Sequence, residues 1–181
     1  MERTSSPGLV PGYSRRGFLA GASTLAVTSP ALASIAPNSL APVDRVIVEK
    51  TKRRMAMLRG DAELISFRVA LGHAYGPKLR QGDGRTPEGN YYVDGFNPRS
   101  DFYRSIHISY PNDDDWNRAT ELGVSAGGQI MIHGLDPAIA ARWQANHWMF
   151  NWTNGCIAVT NPEMDLIWES VELGTPVEIR P

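Results

Sequence analysis

A mostly β domain with a few short helices is the fold class the sequence predicts, and three observations lead there. Short runs in which apolar and polar side chains alternate recur along the chain, the period-2 pattern of half-buried strands. Among 181 residues there are 17 glycines and 13 prolines, which suits many turns between short elements. Only two or three segments carry helical start signals and apolar stripes. With 42% hydrophobic and 20% charged residues, the chain can build one sizeable core. A net charge of −1 excludes a general pull toward nucleic acid or anionic membrane. No apolar run reaches the about 20 residues needed to cross a bilayer, so no transmembrane segment is expected.

In chain order, Ser14-Arg15-Arg16-Gly17-Phe18-Leu19 reads as a twin-arginine export signature, followed by a mildly apolar stretch to Val27. Ala31-Leu32-Ala33 supplies the small residues a signal peptidase reads. Residues 1–33 are therefore expected to be a cleaved leader, 34–44 a linker, and 45–181 the folded domain, in the periplasm. Arg45–Glu49, Arg54–Leu58 and Ala62–Leu71 are predicted strands, the last two a hairpin about Arg59-Gly60-Asp61. Residues 72–89 lack periodicity and form a predicted binding loop or cleft wall. Asn90–Phe96 and Ser105–Tyr110 are further strands, rich in aromatic and β-branched residues.

Asp113–Leu122 is a predicted helix whose acidic first turn suits the helix dipole. Gln129–His133 is a short buried strand. Asp136-Pro137 opens a helix to about Asn146, Gly155–Thr160 is a strand, and Asn161-Pro162-Glu163 opens the last helix. Its stripe of Met164, Ile167, Trp168 and Val171 belongs to the core. Val177–Ile179 closes the chain as a strand.

Cys156 is the only cysteine, so an exported form has no internal disulfide and keeps a free thiol. It follows Gly155 and lies 23 residues after His133. A thiol is mostly protonated at neutral pH, and an imidazole is the partner suited to take its proton. Of four histidines, His133 is the candidate base, because it ends an apolar strand and Gly134 lets the chain turn into a pocket. His107, set between isoleucines, points to the opposite face from them and could line the same cleft. His73 and His147 read as structural or surface residues. Gly155 allows close approach of a substrate backbone, and the amides of Gly155 and Cys156 are candidates for an oxyanion hole. Neither Cys-x-x-Cys nor His-x-x-x-His occurs, so neither metal nor cofactor is expected.

His133-Gly134 followed by Thr153-x-Gly155-Cys156-Ile157 resembles the signature of the L,D-transpeptidase catalytic domain, or YkuD domain. Gly82-Asp83-Gly84-Arg85-Thr86-Pro87-Glu88-Gly89-x-Tyr91 and Ser105–Asn112 are similar to the YafK-like branch of that family. The resemblance implies a β-sandwich with the cysteine in a cleft beside the sheet. It implies thioester chemistry on peptidoglycan stem peptides: Cys156 attacks the diamino-acid carbonyl, D-alanine leaves, and an amine or water resolves the acyl group. Carried over, His133 is the base, the Gly134 carbonyl orients it, and Gly155 contributes an oxyanion amide. His107, Thr153, Asn154, Arg85 and Tyr91 become expected substrate contacts.

Many members of the family have histidine and arginine where this chain has Asn154 and Ala158; Arg80, Arg85 and Arg104 are the candidate replacements for that arginine. The leading reading is a transpeptidase. Its alternatives are a hydrolase using the same pair, acting as an L,D-carboxypeptidase or releasing a peptidoglycan-attached envelope protein, and a non-catalytic peptidoglycan-binding module.

Overall fold

The computed structural model describes residues 42–181; the expected leader and most of the expected linker lie outside the described residues. The strands are β1 (Arg45–Glu49), β2 (Arg54–Arg59), β3 (Ala62–Arg68), β4 (Gly89–Ser100), β5 (Tyr103–Ile108), β6 (Met131–His133), β7 (Ile157–Ala158) and β8 (Pro176–Arg180). Three helices accompany them: α1 (Asp113–Glu121), α2 (Pro137–Trp143) and α3 (Asn161–Ser170). The mostly β architecture expected from the alternating patterns is thus found.

The strands form one ladder in the order β3-β2-β1-β8-β4-β5-β6-β7. The 12-residue β4 serves both halves, pairing with β8 through Gly89–Tyr92 and with β5 from Val93 onward. Beyond β3 the chain leaves β2 and bridges to β7, where Ala70 and Ala158 exchange backbone hydrogen bonds of 3.0 and 2.9 Å. The first and last strands are thereby joined, and one core fills the interior. Val46, Val48, Met55, Met57 and Phe67 of the β1–β3 half share it with Ile106, Ile132 and Ile157 of the other. This junction is why the third strand stops at Arg68 instead of reaching Leu71. Val43 also packs in the core and donates to the Ser170 carbonyl, so the folded part begins before Arg45.

Two helix starts fix the segments around the site. At α1, Asn112 and Asp115 form a reciprocal capping box. At α3, Thr160 and Glu163 do the same, and the turn into this cap ends β7 after Ala158 instead of at Thr160. Strand β6 begins only at Met131, because Gln129 has a left-handed backbone with φ 59°.

Candidate active site

Strand register arranges the site. Ser105 pairs with His133, Ile106 with Ile132 and His107 with Met131 across β5 and β6. Ile132 pairs with Ile157 and His133 with Ala158 across β6 and β7. Paired residues present their side chains on the same face, and neighbours along a strand on opposite faces. The three isoleucines face the core. On the other face stand two rows across three strands. One row is Ser105, His133 and Ala158, all buried; continuing the register by one residue sets the next as His107, Met131 and Cys156, all partly exposed. From a strand spacing near 4.8 Å and a two-residue offset, the Cα atoms of Cys156 and His133 are about 8 Å apart, within joint side-chain reach.

His133 is 4% exposed. The ring centres of Phe102 and Trp152 lie 4.7 and 5.8 Å from that of its imidazole. Its Nδ1 is 2.7 Å from the Gly134 carbonyl oxygen. A carbonyl only accepts, so Nδ1 carries the hydrogen and Nε2 holds the lone pair. Burial holds this imidazole below the ordinary histidine range, against the Gly134 hydrogen bond. Gly134 has no room for a side chain, since a Cβ there would lie 2.6 Å from Asn161 Oδ1.

Cys156 is half-buried, and its Sγ lies 3.5 Å from the Gln129 carbonyl. Burial raises the thiol above its ordinary value, opposed by the Met131 amide and the Lys78 ammonium. The turn leading into Cys156 is tightly built. Thr153 Oγ1 donates to the Cys156 carbonyl at 2.7 Å and accepts from the Gly155 amide at 3.2 Å. Gly155 has φ 129°, and a Cβ there would meet the Arg85 carbonyl at 2.6 Å. Only glycine fits that conformation and that gap.

Cys156 opens on a cleft of about 460 Å³ whose wall includes Lys78, Gln81, Gly128, Gln129 and Asn154. The loop at 72–89 is therefore a cleft wall, one of the two expected roles. Of the expected substrate contacts, Asn154 and His107 stand where a substrate can reach, His107 in an adjoining cleft of about 330 Å³ that shares Gln129.

Four other expectations are corrected. Tyr91 is 4% exposed in the core, where its hydroxyl donates to Asp115 at 2.9 Å. Thr153 is buried and spends its hydroxyl on the turn itself. Arg85 sends its guanidinium to the Pro77 carbonyl and lines a neighbouring groove with Arg80, so neither lines the Cys156 cleft. The Gly155 amide is occupied by Thr153, which leaves the Cys156 amide as the candidate oxyanion donor.

Arg104 likewise lies elsewhere, paired with Asp165 at 3.0 Å. Ala158 is fully buried beside His133 in the same row and lines no part of the Cys156 cleft. The cation in the cleft wall is Lys78, held by Asp83 at 2.8 Å. Only its place in the glycine-rich loop, five residues before Asp83, could have signalled it. His73 donates its amide to the Thr153 carbonyl at 3.0 Å. His147 is buried, and its electrostatic effect reaches His133.

Comparison with known proteins matches residues 43–179 to the L,D-transpeptidase catalytic domain, YkuD. The candidate L,D-transpeptidase YafK of Escherichia coli K12 is 36% identical over 98 residues, 53% of this chain and 32% of its own. The chain thus spans about a third of the curated relatives it matches. The helical cell shape determining protein Pgp2 of Campylobacter jejuni superposes with TM-score 0.58 at 23% identity, covering 77% of this chain and 48% of Pgp2. Bd1075 of Bdellovibrio bacteriovorus gives TM-score 0.55 at 19% identity, covering 77% and 48%. These two likenesses establish the fold. With a family match across nearly all the described residues and the fold to go with it, this chain belongs to the L,D-transpeptidase catalytic domain (YkuD) family.

Proposed function

We propose that the protein is a peptidoglycan-modifying cysteine acyltransferase that works by a thioester on Cys156. His133 Nε2 takes the thiol proton as the sulfur attacks the diamino-acid carbonyl of a stem peptide, and the Cys156 amide holds the developing oxyanion. The imidazolium then protonates the departing amine of D-alanine. An amine next attacks the thioester, giving a cross-link; Cys156 leaves as thiolate, and the proton the amine loses restores the thiol. The observation that supports this reading is the shared register: thiol and buried imidazole stand on one face of β6 and β7, and the thiol opens on a cleft. The depressed imidazole and elevated thiol suit it, since a neutral base then faces a protonated nucleophile at neutral pH. Resolution by water on the same residues would make the enzyme a carboxypeptidase, or a hydrolase releasing a tethered envelope protein.

Export through the leader at residues 1–33 and action in the periplasm belong to the same proposal. The test is intact-mass spectrometry after incubation with a carbapenem. One covalent adduct on Cys156 is expected, and none on Cys156→Ala. An unmodified wild-type protein, or a Cys156→Ala protein that converts muropeptides as well as wild type, would overturn the assignment and leave a binding module. Muropeptide products separate the two enzymatic outcomes, because dimers need an amine and trimmed monomers only water.

A further inference from the structure

The β4–β5 pairing contains an irregularity beside the site. Val93 pairs with Ile108, but Gly95 pairs with His107, so Asp94 is an extra residue in β4. Such a bulge re-aims the inserted side chain. Here the Asp94 carboxylate meets His107 Nδ1 in a short hydrogen bond. A carboxylate accepts, so Nδ1 carries the hydrogen and His107 Nε2 holds the lone pair. That Nε2 is shielded from bulk solvent and has no partner. Neither has the hydroxyl of Ser105, 1% exposed and two residues away on the same face. Buried polar atoms are nearly always satisfied, so two adjacent exceptions beside a catalytic row mark a place for a polar ligand.

We infer that His107, oriented by Asp94, is a second base, which activates the acyl acceptor when the thioester is resolved. The inference rests on the thioester reading above and assigns its second half. His107 and Cys156 occupy the same row, separated by Met131 and two strand spacings, about 10 Å between Cα atoms. That span holds an acyl group on sulfur and an incoming amine or water. The cleft that His107 lines and the Cys156 cleft have Gln129 as a common wall, which sets the acceptor on the β5 side and the acyl donor against Lys78 and Asn154. In the step, a proton passes from the acceptor to His107 Nε2, the new C–N or C–O bond forms, and the C–S bond breaks. The proton on His107 is then relayed to the Cys156 thiolate by a water held in the cleft, restoring the thiol and the neutral imidazole. His133 serves the first half-reaction, and His107 the second.

The test separates formation of the acyl-enzyme from its decay, using a purified disaccharide-tetrapeptide as donor and either water or added glycine as acceptor. In His107→Gln, the thioester should form at the wild-type rate and accumulate, its decay slowed by about 100-fold, the lower range for a lost general base. Asp94→Asn should slow decay by about tenfold, as loss of an orienting partner does. Hydroxylamine, already unprotonated at neutral pH, needs no base and should restore rapid decay in both variants. Decay unchanged in His107→Gln, formation and decay falling together, or slow decay that hydroxylamine leaves slow would each overturn the inference. A wild-type protein that forms no acyl-enzyme brings down the thioester reading itself, and this step with it.

Discussion

The two ends of the ladder handle polar side chains in opposite ways. On β1–β3, charges neutralise one another: Arg54 donates to Glu49 and to Glu63, and Lys52 also pairs with Glu49. Glu49 and Glu63 are held below the ordinary carboxylate value by those cations. On β5–β7, the polar face leaves lone pairs open at His133 and His107 and an unpartnered hydroxyl at Ser105. Both ends are built from the same alternating strands. Where charges pair, the strand is scaffold; where polar groups stand unpartnered at a cleft, their cost is offset by the core packed behind them.

Substitutions at both ends can break or sharpen this contrast. The largest effect is expected for His133→Asn, which should lower muropeptide turnover by about 10²–10⁴-fold while Cys156 stays present and alkylatable; a smaller drop would mean that another group takes the thiol proton. Gly155→Ala comes next. Its left-handed φ and the 2.6 Å approach of the Arg85 carbonyl should cost about 1–3 kcal/mol in a denaturant melt and slow thioester formation.

Acidity gives the third. Burial holds His133 and His147 below the ordinary value of 6.5, so the unfolded chain binds protons there more tightly than the native one. Stability should therefore be steady above that value and fall as the pH drops below it. This loss begins before carboxylates, with ordinary values of 3.8 and 4.5, start to titrate. Thermal melts across that window should show it, and His147→Gln should lessen the slope. The smallest effect belongs to the scaffold end. Arg54→Gln should leave turnover unchanged and move the melting temperature only slightly, since ion pairs that solvent still reaches contribute little and Lys52 remains paired with Glu49.

Much of the site was legible because strand alternation reports which face a residue takes. Ile106-His107-Ile108 puts its histidine opposite the core, and Met131-Ile132-His133 does the same on the neighbouring strand. Gly-Cys was readable as a tight turn into the thiol, and His-Gly as an imidazole at a strand end. Arginines were misread for a physical reason: a long cationic side chain can turn to several neighbours, and its position in sequence does not choose among them. Arg85 turns to Pro77 and Arg104 to Asp165, whereas the unremarked Lys78 lines the cleft. Tyr91 was misplaced because an aromatic in a motif looks the same whether its hydroxyl meets substrate or a buried Asp115.

The sequence by itself determined the mostly β class, the capped helices, the glycine-limited turn before Cys156 and the face on which His107 and His133 stand. Those features rest on local preferences and a period of two, which neighbouring residues set among themselves. Only the tertiary structure decided that β8 lies between β1 and β4, that Ala70 closes onto Ala158, that the Gly155 amide is taken by Thr153, and that a bulge turns Asp94 onto His107. These depend on which distant strands meet and in what register, and that choice is made by burying one common core.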